Sequence, residues 1–162
     1  MTPVVLPVGG LYMENFKRLL PEIAEIRQPV GDGGIVCWEA YDASGNLIGY
    51  AFAKDIPETV PDVPGAEDMD RYRVFGIVDP KEFKIINLDI TIHPEMTGEP
   101  WSLDITEPEF EKRFIGLSVS EMSLVPDGKI DAVSEATLSS TWITDGIREK
   151  VEEIIKKAGK GS

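Results

Sequence analysis

A chain of 162 residues with 42% apolar content is long enough for one domain with a buried core, and too apolar for disorder. Its 29 acidic and 16 basic residues give a net charge of −13. That excludes a nucleic-acid surface and a polybasic membrane-binding patch, both of which need clustered cations, and reads most simply as a means of staying soluble. A single cysteine, Cys37, excludes an intrachain disulfide. In its apolar run it reads as a small buried hydrophobe.

No apolar run is long enough to span a bilayer. The start, Met1-Thr2-Pro3-Val4-Val5-Leu6-Pro7, has no charged leader and too short an apolar stretch for a signal peptide. The chain is expected to be soluble as it stands; one that had lost an N-terminal anchor would read the same.

In chain order, Phe16, Leu19, Leu20, Ile23 and Ile26 predict a helix over 13–26, with a break or kink at Pro21. Residues 35–41 and 47–53 predict two strands joined by a hairpin turn at Asp42-Ala43-Ser44-Gly45-Asn46. Residues 54–70, rich in proline and acids, predict a loop or mobile flap. Strands follow over 71–78 and 84–92, turning at Asp79-Pro80-Lys81-Glu82. In the second, Ile86, Leu88, Ile90 and Ile92 predict one apolar face, and Asn87, Asp89 and Thr91 a wet one.

An irregular loop runs from His93 to Trp101. Thr106, Pro108 and Glu109 form a helix-start pattern that predicts a short helix over 107–115. The last helix is predicted from about Leu138 to Lys157, on a stripe of Ile143, Ile147, Val151, Ile154 and Ile155 that Gly146 weakens locally. These elements predict an α+β fold: an antiparallel sheet with flanking helices and a long C-terminal helix. One domain over 1–162 is expected, with the acidic, proline-containing loop at about 54–70 inside it. No internal repeat is present.

Conventional catalytic groups are sparse. A hydrolytic triad would have to use His93, the sole histidine, and no nucleophile stands at a diagnostic spacing from it. A histidine-rich metal site is excluded by count. Glu67-Asp68-Met69-Asp70 has the oxygens for a hard cation but not the spacing of a calcium loop, so it reads as a solvated charge run. Neither a dinucleotide glycine motif nor a Walker sequence occurs.

The most informative stretch is Asp131-Ala132-Val133-Ser134-Glu135-Ala136-Thr137-Leu138-Ser139-Ser140, immediately before the strongest helical pattern. A helix start presents unpaired backbone N–H groups and partial positive charge, both of which favour a phosphate. Thr137 falls at the N-cap or in the first turn. Glu135 opposes an anion there by like-charge repulsion. Ordinary capping of a long helix by Ser134, Thr137 and Ser139 accounts for the same residues.

The segment resembles the flavinylation motif of FMN-binding domains: Asp, two variable residues, Ser or Thr, usually Gly, then Ala-Thr. Other features resemble that family in the same order, over most of residues 13–155. They are Leu19-Leu20-Pro21-Glu22, the hairpin from Tyr41 through Gly49-Tyr50-Ala51-Phe52, and the strand pair at 72–92. His93-Pro94-Glu95-Met96-Thr97-Gly98 resembles a His-x-Glu-Thr-Pro-Gly loop, and Phe110, Phe114 and Gly116 resemble a Phe–Phe–Gly helix. The family is that of the G subunit of Rnf complexes and the C subunit of sodium-pumping NADH:quinone oxidoreductase. Glu135 for Gly, and Met96-Thr97 for Thr-Pro, are departures from its pattern.

The resemblance implies FMN joined to Thr137 by a phosphoester bond, placed there by a flavin transferase that uses FAD. Asp131, Ser134, Ala136 and Thr137 would be the transferase's recognition sequence. Backbone N–H groups of Leu138, Ser139 and Ser140 would hold the phosphate. Glu95, Thr97 and Gly98 would line the ring, with Trp101 or Trp142 as candidates to stack on it. Other redox subunits of a membrane complex would be the partners, at the extracytoplasmic face if an anchor has been removed. Two other readings stay open: a small flavin reductase with noncovalent FMN, and a flavin-less interaction domain whose phosphate site Glu135 closes.

Overall fold

Pro21 determines where the first helix gives way to the sheet. The computed structural model describes residues 9–27, 37–56, 71–93, 106, 108–124, 128–130 and 137–160. Helix α1 spans Gly9–Leu19 and ends in a turn over Leu20–Ile23, where the Ile23 N–H donates to the Leu20 carbonyl. Ala24 N–H then donates to the Tyr41 carbonyl, which opens the pairing of strand β1 (Glu25–Arg27) with β2 (Trp38–Tyr41). Thus the predicted 13–26 helix starts and stops earlier, and Ile26 is buried on a strand instead. Proline cannot continue the helical ladder, and the residues after it take the sheet's hydrogen bonds.

Strands β3 (Leu47–Ile56), β4 (Tyr72–Val78) and β5 (Ile85–Ile92) complete a five-stranded sheet in the order β1-β2-β3-β4-β5. Every neighbouring pair is antiparallel. The predicted hairpin at 42–46 forms as expected: Asp42 Oδ1 accepts from the Ser44 and Asn46 N–H groups, both at 2.9 Å. β3 continues to Ile56, beyond the point where the predicted loop begins, and the described part of the 54–70 segment is strand.

Both faces of the sheet are covered. Along β4, Tyr72, Val74 and Val78 join one buried cluster while Phe75 and Ile77 join the other, as strand alternation requires. Helix α1 covers the second face through Phe16 and Leu19. The first face is covered by α2 (Pro108–Glu111), by the turn after it, and by the long α3 (Thr137–Lys160). Ile143, Ile147, Val151 and Ile154 of α3 are all completely buried, so the predicted stripe is the contact face.

The predicted wet face of β5 is therefore corrected. The pairing steps from Ile77↔Asn87 to Val78↔Ile85, so Ile86 is an extra, bulged residue. A bulge reverses the phase of the side chains, and Ile86 packs with the α1-side cluster instead of with Leu88 and Ile90. On that same side Asn87 Nδ2 donates to the Leu19 carbonyl at the end of α1 (3.2 Å), satisfying one of the helix's orphan acceptors.

α2 is shorter than predicted. After Glu111 the chain tightens into turns in which Arg113, Phe114 and Ile115 N–H groups donate to carbonyls three residues back. Gly116, at φ 83°, ends them. Its N–H donates to the Ile85 carbonyl, and Ile85 N–H donates to the Leu117 carbonyl, so this segment seals the edge of β5. Phe110 and Phe114 are fully buried, edge-on at 5.4 Å. No helix among the described residues is long and apolar enough to cross a membrane.

Candidate functional site

Thr137 is the first residue of α3, as the sequence predicts, and Leu138, Ser139 and Ser140 complete the first turn. The first N–H groups of a helix have no acceptor within it. The first turn of α3 contains no acidic residue, so nothing inside the helix competes with an anion for those donors. Ser140 is fully buried. So is Thr144, one turn further on, whose hydroxyl has no partner among the described residues. Thr144 lies about seven residues from Thr137, two turns along the same helical face. Trp142, a candidate to stack on a ring, packs against the α3-side core.

Asp131, Ser134, Glu135, Ala136, Glu95, Thr97, Gly98 and Trp101 lie outside the described residues, as does the acidic run Glu67–Asp70. Their neighbours fix where these segments begin and end. Ile56, Tyr72 and Ile92 are register partners across β3, β4 and β5. The chain leaves the sheet after Ile56 and again after His93 at this one end.

α3 is aimed at the same end. Lys54 of β3 faces Glu149 at 4.0 Å, and Gly146, a turn earlier in α3, sits on the side chain of Ile56. Moving toward the N-terminus of α3 therefore moves toward the end of β3. Thr137 lies about nine residues, roughly 13 Å, beyond Gly146. The helix start and the point where the chain passes His93 thus share one end of the sheet.

His93 itself is anchored. Its side chain is 2% exposed, and its Nε2 lies 2.9 Å from Asp55 Oδ2. Arg73 grips the same carboxylate with Nε at 2.7 Å from Oδ1 and one terminal nitrogen at 3.2 Å from Oδ2. Burial alone would raise the Asp55 carboxyl, but the hydrogen bonds and charges of Arg73 and His93 outweigh it and hold the group below its usual range. An ionised carboxylate only accepts, so His93 Nε2 carries the proton. The 3.3 Å approach of Arg73 to that nitrogen is then a meeting of two donors on one acceptor oxygen. The histidine is thus fixed on the Asp55 carboxylate, which Arg73 holds from its other side.

Asp55 and Arg73 carry no sequence signal of their own. Asp55 sits where a loop is predicted; the one available hint is the continued alternation Ala51, Ala53, Asp55. Cys37 is buried as expected, its thiol pushed up to about 11 by desolvation.

Glu111 of α2 is a further group without a sequence signal. Its Oε1 accepts from the Ile90 N–H at 2.7 Å, on the open side of β5. Burial pushes its carboxyl up to about 7, opposed by that hydrogen bond and reinforced by the charge of Asp89.

The chain is similar to the G subunit of the ion-translocating oxidoreductase complex of Methanosarcina acetivorans. The two are 27% identical over 154 residues, which cover 90% of this chain and 76% of that protein. No family model and no solved structure matches the chain. The sheet, the long C-terminal helix and the order of segments agree with that similarity and with the sequence resemblance to the FMN-binding domains of Rnf-type G subunits.

Proposed function

We propose that this chain is a single FMN-binding domain that carries FMN as a phosphoester on Thr137 and relays electrons within a membrane-associated redox complex. The observation that carries this reading is the similarity to the G subunit of an oxidoreductase complex across 90% of the chain. The position of Thr137 as the first residue of α3 supports it.

In this reading the Thr137 hydroxyl oxygen forms a bond to the phosphorus on the FMN side of FAD. The pyrophosphate P–O bond breaks, AMP leaves, and the hydroxyl proton passes to the transferase. Asp131, Ser134, Ala136 and Thr137 form the sequence the transferase reads. Backbone N–H groups of residues 138–140 hold the phosphate, and Glu95, Thr97 and Gly98 line the ring. Flavin, once bound, supplies one- and two-electron exchange; the protein fixes its position and tunes its potential.

The His93–Asp55 anchor fixes the residue from which the ring-lining loop departs. The chain acts as a carrier beside neighbouring redox subunits, at the extracytoplasmic face when anchored there, and has no substrate of its own.

The test is denaturing mass spectrometry after co-expression with a flavin transferase, with peptide mapping of residues 131–148. The mass of FMN less one water on Thr137 is the expected result. An unmodified chain that is yellow when native would favour noncovalent flavin; an unmodified colourless one would reject a flavin carrier.

A further inference from the structure

The residues that lead into the acceptor helix form a small closed unit. A 3-10 turn over Val119–Glu121 opens on a capping box, in which Ser118 N–H donates to Glu121 Oε1 at 3.1 Å. The returning stretch is stitched back onto it. Gly128 N–H donates to the Leu124 carbonyl at 3.1 Å, Lys129 N–H to the Glu121 carbonyl and Ile130 N–H to the Ser123 carbonyl, both at 3.0 Å. The Lys129 ammonium pairs with the Glu121 carboxylate.

Arg148 ties this unit to α3. Its Nη1 donates to the Met122 carbonyl and to Ser123 Oγ, both at 3.1 Å. Its other nitrogens are held by α3 itself, Nη2 by Asp145 at 3.1 Å and Nε by Glu152 at 3.8 Å. These two carboxylates orient the planar guanidinium, so the remaining nitrogen is aimed at the unit. Beside this polar tie, Met122 and Ile130 are fully buried in the same cluster as Ile143, Ile147 and Val151. Apolar packing is non-directional and does not by itself fix how two surfaces are aligned, whereas a donor shared by two placed acceptors does.

The two flanks of the recognition sequence are thereby joined to one helix. Ile130 stands immediately before Asp131, and Thr137 is the first residue of α3. We infer, on the reading that Thr137 accepts FMN, that Arg148 is a positioning residue for flavin attachment. It fixes Ile130 against α3, so the transferase meets both flanks of its recognition sequence at one separation. Arg148 lies about eleven residues, roughly 16 Å, along α3 from Thr137, so it acts through the chain and not by touching the phosphate. A segment whose flanks are already placed loses less freedom when a partner binds it, and untied flanks must be ordered at the expense of binding. The effect therefore falls on KM and not on kcat.

The test is the rate at which a flavin transferase supplied with FAD modifies the full chain, measured by mass at varied chain concentration. Arg148→Gln should raise KM roughly tenfold, the scale of one charge-assisted hydrogen bond, and change kcat by less than about twofold. Ser123→Ala removes one of the two acceptors and should move KM the same way by roughly threefold. It carries the test if Arg148→Gln fails to fold. Ile23→Val, buried on the opposite face of the sheet, controls for a general loss of stability and should leave KM unchanged. Hydrogen exchange at the Lys129 and Ile130 amides, followed in ¹⁵N spectra, should quicken in Arg148→Gln. A wild-type KM in both Arg148→Gln and Ser123→Ala, or an equal rise in Ile23→Val, overturns the positioning role. A wild-type chain that the transferase leaves unmodified overturns the Thr137 reading instead, and unaltered exchange at Ile130 in Arg148→Gln overturns the tie whichever way that reading falls.

Discussion

Gly146 of α3 and Ile56 at the end of β3 occupy adjoining space so closely that a Cβ on Gly146 would come within 2.7 Å of Ile56 Cδ1 and 3.0 Å of its Cγ1. In the sequence this glycine reads only as a weak point in a helix. In the fold it lets α3 lie against β3 and so sets the position of the helix start.

Two effects compete in Gly146→Ala. Alanine gains about 1 kcal/mol of helix propensity, whereas overpacking a buried contact costs about 1–3 kcal/mol. Because Ile56 is itself buried and cannot swing into solvent, the cost wins. A net loss of about 1 kcal/mol is expected in urea denaturation. In an Ile56→Val background, which removes Cδ1, the alanine should be neutral or stabilising. Equal losses in both backgrounds would refute the contact.

Asp55→Asn should destabilise the fold, because it leaves Arg73 and His93 around a neutral amide. Removing one partner of a fully buried ion pair costs about 3–5 kcal/mol. Asp55 and Arg73 are partly exposed, at 28% and 20% of their side chains, so a loss of about 2 kcal/mol is expected instead. The pH dependence has a definite sign. The folded-state pKa of Asp55 is lowered, so its contribution is complete above the unfolded value of 3.8 and is lost as pH falls through the folded value. Denaturation midpoints of the wild type and variant should differ at pH 7 and converge under acid; a gap that persists at the lowest pH would remove the ionic explanation.

Much of this arrangement was legible in the sequence because it is periodic. The isoleucine and valine stripe of α3 spans many turns, and the Asp42–Asn46 turn carries its own side-chain hydrogen bonds. β1 was not legible, since three residues cannot display a period and they follow a helical pattern without a gap. Nor was the bulge at Ile86, where one residue changes the face of its neighbours without altering composition. The ionic cluster escaped for a different reason. Asp55, Arg73 and His93 are far apart in the chain and meet only through the β3–β4–β5 register. Thr137 was legible as a helix start because its signal is local.

Glu111→Gln should stabilise the protein above neutral pH. The wild-type carboxyl is raised to about 7 in the fold, chiefly by burial, from an ordinary value of 4.5. A raised pKa means that stability present below the unfolded value is lost as pH rises through the folded one. Glutamine keeps a carbonyl acceptor for the Ile90 N–H and carries no charge beside Asp89. After allowance for solvent at a half-buried site, the gain at pH 8 should be about 1 kcal/mol, falling to nearly nothing at pH 4. Thermal unfolding across that range measures it. A variant less stable than wild type at pH 8 would mean that the charged form clamps α2 to β5.

Thr137→Ala should abolish covalent flavin and leave the fold intact. It removes the hydroxyl oxygen at the helix start, while among the described residues Trp142, Ile143, Ile147, Val151 and Ile154 supply the apolar core contacts of α3. Loss of an N-terminal threonine costs about 1 kcal/mol, small against the stability of a whole domain. Intact mass and circular dichroism, measured together, separate loss of attachment from loss of folding. Flavin retained on the alanine variant would reject Thr137 as the acceptor. Glu135→Gly is the informative companion. If the carboxylate repels the incoming phosphate, its removal should raise the flavinylated fraction under identical co-expression, and the effect should shrink at high salt as screening takes over. An unchanged fraction would mean that the transferase accepts the carboxylate and that the first turn of α3, free of acids, is sufficient to hold the phosphate.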